Sequence, residues 1–156
     1  MTHLSDLRDE FYSKSLRRLI VLTELMKRKK FASGVTLRNL LMADLLICNP
    51  ELLRRFLASF GQPQQSLRID EVLYNDNVAL GSADDTRDCA YTMIFLEKIG
   101  VVKFKLAAGT PTFESLWAGE FDTPLIHQWT NDLNEIIPHF VARSESVLYE
   151  HLIGVA

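Results

Sequence analysis

Four groups of residues in this sequence are of types that could do chemistry. Glu135 and His139 lie one helical turn apart, and His127 falls on the same predicted element, so two metal ligands could share one helix face. No third ligand follows at a recognised spacing, and histidines on the polar side of an amphipathic helix explain the trio more simply. Asp84, Asp85 and Asp88 resemble a metal site only in composition; at the start of a helix they stand where the macrodipole favours negative charge. Cys48 and Cys89 have neither CxxC nor Cys/His spacing and read as buried, reduced thiols in helices. Asp76, Asn77 and Gly81 do not follow the alternating-ligand pattern of a calcium loop. The sequence has no phosphate-cradling glycine loop, no GxSxG and no HExxH, so it reads as non-catalytic, with no cofactor.

The elements that would position these residues centre on the stretch DDTRDCAYTMIFLEKIGVVKFKLAAGTPTFESLW, residues 84–117. Asp84 or Asp85 caps a helix there and Gly100 stops it. Val102, Phe104 and Leu106 then alternate with Lys103 and Lys105, and Ala107–Thr110 form a turn before a second strand from Pro111 to Glu114. Because proline cannot donate to a ladder, Pro111 is expected at the start of an edge strand. Helix, stop, strand, turn, strand is the back half of a winged helix.

Upstream, a helix is expected from Ser13 or Ser15 to Lys30, with Lys27, Arg28, Lys29 and Lys30 in its last turn. After the Ser33-Gly34 break, Thr36 caps a second helix from Leu37 to Cys48, with Leu37, Leu40, Leu41 and Leu45 inward. Asn49-Pro50 ends it and opens a third, Glu51–Phe60, closed by Gly61. Residues 61–83 form a long polar connection in which LRIDEVLY is either strand or helix. From Phe121 to Tyr149 the chain is mostly helical, kinked or divided at Pro138. The fold class is thus mainly α with a small β-wing: one winged-helix-like domain over 1–156. Its parts are N-terminal helices (1–60), a loop (61–83), the helix and wing (84–117) and a C-terminal helical segment (118–156).

The 156 residues, 47% of them hydrophobic, suffice for one core. The N-terminus carries charges where a secretory segment needs an apolar run, and NLLMADLLIC is too short to span a bilayer and is interrupted by Asp44, so a cytoplasmic protein with no membrane partner is expected. The net charge of −3 conceals a division. Residues 1–68 hold 12 Lys/Arg against 6 Asp/Glu and residues 69–156 hold 5 against 14, or +6 and −9.

On the central helix Cys89, Met93, Leu96 and Ile99 make one stripe, while Tyr91 and Phe95 fall on a second side and Ile94 on a third. The second side requires another surface, either the C-terminal helix or a partner protein. The same helix holds the place that enters the DNA major groove in helix-turn-helix proteins, but an acidic first turn would face phosphates there. Lys27–Lys30 and the wing residues Lys103 and Lys105 are better placed for DNA, through its backbone. Trp117 and Trp129 read as core or interface anchors.

The run LRNLLMADLLICNP, followed after a loop by TRDCAYTMIFLEKIGVVKFKLAAGTPTFE, resembles the small middle components of ABC-three-component and Lamassu-type defence systems. The likeness covers roughly Thr36–Trp117 and the helix after it, and rests on hydrophobic spacing rather than on a catalytic motif. It implies a non-enzymatic subunit that sits on an SMC-like ATPase subunit and links it to a nuclease effector subunit acting against phage or plasmid DNA. Partner binding is then expected at Tyr91, Phe95 and Trp129. A free-standing winged-helix DNA-binding regulator and a small enzyme with an unrecognised site are the alternatives.

Overall fold

A computed structural model describes residues 4–61, 83–120 and 122–155. The undecided LRIDEVLY stretch and Asp76, Asn77 and Gly81 lie outside them. The fold is mainly helical with one small antiparallel sheet. Its order is α1 (Leu4–Met26), a 3-10 turn (Lys29–Phe31), β1 (Val35–Thr36), α2 (Leu37–Cys48), α3 (Pro50–Ala58), α4 (Ala83–Lys98), β2 (Val102–Ala107), β3 (Thr110–Ser115), α5 (Pro124–Ala142) and α6 (Glu145–Val155).

Local chemistry sets most of these boundaries. The Thr36 side chain accepts from the Asn39 N–H and starts α2; Asn49 does the same for the Leu52 N–H and starts α3, with Pro50 at its first position. Gly100, at φ 84°, ends α4 while the Val101 N–H reaches back to the Leu96 carbonyl at 3.1 Å, a Schellman closure. Ala108 and Gly109 both have positive φ, 51° and 80°, which gives the two-residue turn whose twist suits a hairpin.

Four expectations need correction. Helix α1 begins earlier and ends at Met26, so Lys27–Lys30 are not its last turn: Lys27 and Arg28 close i→i−3 bonds and Lys29–Phe31 form the 3-10 turn. The hairpin is joined by a third strand, in the order β1-β3-β2, with Val35 opposite Phe113 and Thr36 opposite Thr112. Pro111 therefore lies on the central strand, tolerated because β1 reaches only Thr112 and Phe113 and leaves Pro111 paired on one side alone. Helix α5 runs through Pro138 without division, because Pro138 faces solvent while Ile136, Ile137 and Phe140 hold the helix against the core on either side of it. The break comes at Arg143–Ser144, where Ser144 caps α6 through the Val147 N–H.

The core draws on every helix: Leu22 and Leu25 of α1, Leu40 and Leu46 of α2, Phe56 of α3, Met93 of α4, Ile136 and Phe140 of α5, and Leu148 and Leu152 of α6 are buried. Gly34, at φ 128°, lets β1 close on β3, since a Cβ there would stand 2.9 Å from Thr112 Oγ1. Among the described residues no helix is long and apolar enough to cross a membrane.

Candidate functional site

Helix α1 carries adjacent arginines, Arg17 and Arg18, on the side that meets α2 and α4. Arg17 Nε donates to Asp44 Oδ1 at 2.5 Å, and Arg18 Nε donates to Asp44 Oδ2 at 3.1 Å. Arg18 then spans to α4, donating to Asp88 Oδ2 at 2.9 Å and to Thr92 Oγ1 at 2.9 Å. Lys14 stands 3.6 Å from the same Asp88 carboxylate. Arg18 and Asp44 are buried, at 4% and 2% exposure, so this is an ion network inside the helical layer. Burial pushes both guanidinium groups down, but the Asp44 hydrogen bonds and charge outweigh it and hold them above their ordinary value. The network explains why Asp44 interrupts the most apolar helix. It also alters the reading of the acidic first turn of α4, because Asp88 is turned inward to a cation.

Above this network, α1 and α4 present an aromatic face to solvent. Phe95 packs edge-on to Phe11, with ring centroids 5.3 Å apart, and against Tyr12 at 5.7 Å. Tyr12 is 53% exposed, and on α4 Tyr91 is 59% and Ile94 46% exposed. Cys89, Met93 and Leu96 are buried as expected of the inner stripe, but Ile99, beyond the helix end, is exposed. Of the second side of α4, Phe95 thus meets α1 while Tyr91 remains exposed. Residues Phe11 and Tyr12 carry the contact, and their spacing with Ser15 and Leu19 continues the α1 period upstream. Trp129, by contrast, is only 8% exposed; its ring belongs to the core and has little surface to offer a partner.

The basic residues separate. Lys30 Nζ donates to the Phe140 and Arg143 carbonyls, both at 2.6 Å, and so caps the C-terminal end of α5; desolvation lowers its pKa. Lys27 pairs with Glu24 at 2.7 Å and Lys105 with Glu114 at 2.6 Å. Arg28, Lys29 and Lys103 are exposed. The wing lysines lie on β2, whose partner β3 is joined to α1 through the Thr23–Ser115 hydroxyl contact at 2.7 Å.

The titratable trio of α5 does not converge. His127 Nε2 lies 2.8 Å from Asp122 Oδ1, whereas His139 stacks on Phe60 with centroids 4.3 Å apart and planes 18° apart. His151 of α6 covers another part of the Phe60 ring at 4.2 Å, and the Arg143 guanidinium lies 4.1 Å from its centroid. Arg143 Nη1 donates to His139 Nδ1 at 3.0 Å, which fixes that nitrogen as the acceptor of a neutral ring. Among the described residues no three His, Cys, Asp or Glu side chains converge as a metal site. Cys48 and Cys89 are both free, but Cys48, at the end of α2, is exposed rather than buried. Burial pushes the Cys89 thiol up to about 12, so it stays protonated.

His139 gives a pH dependence. Burial, then the neighbouring Arg143 and His151 charges, lower its pKa below the ordinary 6.5. The neutral ring therefore contributes stability that is fully present above that value and lost as pH falls through the lower, folded-state pKa. Urea midpoints at pH 7.5 and pH 5 should show a loss at the acid end that shrinks in His139→Phe. An equal loss in both proteins would place the effect elsewhere.

No protein-family model, curated protein or solved structure matches this chain.

Proposed function

We propose that the chain is a non-catalytic winged-helix adaptor, working in the cytoplasm, that joins an SMC-like ATPase subunit to a nuclease effector subunit in a defence complex directed at phage or plasmid DNA. The observation that carries this reading is the exposed aromatic face of α1 and α4, where Tyr12, Tyr91 and Ile94 remain open around a packed Phe11–Phe95 pair. Exposed tyrosines and an isoleucine beside a packed aromatic pair, on helices joined by a buried ion network, have the character of a protein-binding surface. The classes of partner come from the resemblance carried by residues 36–117. The winged-helix reading is supported by β1 pairing with the hairpin on the side away from β2. In this reading Tyr91 meets the partner, and Phe95 holds the patch to α1.

DNA backbone contact is a secondary element of the proposal, now resting on Arg28, Lys29 and Lys103. These exposed cations also favour the second reading, a free-standing winged-helix DNA-binding regulator. Arg28→Glu with Lys29→Glu should weaken binding of any duplex alike and lower the slope of log affinity against log salt by about 2. Unchanged binding would remove the patch, and loss confined to one DNA sequence would favour the regulator. For the adaptor, the test is co-purification with an SMC-like ATPase subunit.

A further inference from the structure

Strand β2 is an edge strand: in the order β1-β3-β2 its inner side pairs with β3 over six consecutive partners, and among the described residues no strand pairs with its outer side. On one face of the sheet the row Val35, Phe113, Phe104 runs from the core to this edge, and its exposure rises from 0% to 8% to 43%. Leu106, next on the same face, is 67% exposed. The other face of β2 carries Lys103 and Lys105. The apolar layer of the sheet therefore continues to its edge, and among the described residues no strand covers it there.

Natural edges are usually blunted by shortness, a bulge or a proline. Strand β2 is six residues long, its register with β3 is unbroken, and it contains no proline. Lysines can guard an edge, but they leave Phe104 and Leu106 unexplained, and Lys105 is already paired with Glu114. A second copy is a poor occupant: an antiparallel β2–β2 pair centred on Phe104 would set Lys103 against Lys105.

We propose that the outer edge of β2 receives an extended segment of another protein, one that alternates carboxylate and β-branched side chains. Its backbone adds a fourth strand to the sheet, its apolar side chains cover Phe104 and Leu106, and its carboxylate meets Lys103. This surface is distinct from the Tyr91 face, so the two stand or fall separately.

The test uses the full chain labelled with 15N and three capped seven-residue peptides: alternating Glu and Val, alternating Lys and Val, and the Glu/Val peptide with alternate backbone nitrogens methylated. The Glu/Val peptide should shift the amides of 102–107, the Lys/Val peptide should bind at least tenfold more weakly, and methylation should abolish the shifts. Lys103→Glu should invert the preference between the first two, a readout that misfolding would not produce. Leu106→Asp, at an exposed position, should weaken the Glu/Val peptide without changing the rest of the spectrum. Absence of shifts in 102–107 at millimolar peptide, equal shifts with all three peptides, or a dimer formed through β2 would overturn the proposal.

Discussion

Asp44→Ala should destabilise the protein by about 3–5 kcal/mol, the cost of leaving buried charges without their partner. Among the described residues Asp44 is the only carboxylate that bridges Arg17 and Arg18, and Arg18 has 5% of its side chain exposed. Removing it leaves two guanidinium groups between α1 and α2, with Asp88 reaching just one of them. For a chain of this length the loss corresponds to roughly 6–20 °C in Tm. Since small proteins hold only about 5–15 kcal/mol in total, this variant should be near its limit at ordinary temperature. The check is the urea midpoint against wild type, together with a triple variant, Arg17→Met, Arg18→Met and Asp44→Leu. Replacing the whole network with apolar residues removes the unpaired charges, and most of the lost stability should return. A loss below about 1 kcal/mol for Asp44→Ala would mean that water reaches the arginines and the network is not a buried one.

Tyr91→Ala should leave stability within about 0.5 kcal/mol, as expected for an exposed helix position, yet weaken partner binding by 2 kcal/mol or more, about 30-fold. Tyr91 is 59% exposed and Phe95 is half-buried against Phe11 and Tyr12, so the two substitutions separate by mechanism. Phe95→Ala removes packing between α1 and α4 and should cost both stability and binding. Tyr91→Ala should affect binding alone. Thermal melts and surface plasmon resonance on the same preparations distinguish them; equal binding by wild type and Tyr91→Ala would move the interface away from this face.

Sequence alone gave access to what short-range chemistry decides. Thr36, Asn49-Pro50, Gly100 and the Ala108-Gly109 turn act within a few residues, and their elements stand where those residues put them. Strand β1 was out of reach because two residues show no period; it exists only because Gly34 allows close approach to Thr112. The Arg17–Asp44–Arg18–Asp88 network was hidden for a related reason, since its bonded pairs are 26 to 70 positions apart and each member looks locally like a solvated charge or a helix-end acid. Lys30 reads as part of a basic patch until α5 delivers two carbonyls to it. Of the candidate site, Tyr91 and Phe95 were legible from helical spacing. Phe11 and Tyr12 were not, because a helix begun at Ser13 leaves them outside it.

The adaptor proposal is tested most directly by co-expressing the chain with SMC-like ATPase and nuclease subunits and passing the lysate over an affinity column and then a sizing column. All three should elute together from wild type, and Tyr91→Ala should release a folded chain from the assembly. A chain that elutes alone, monomeric and folded, with both other subunits present would contradict the account.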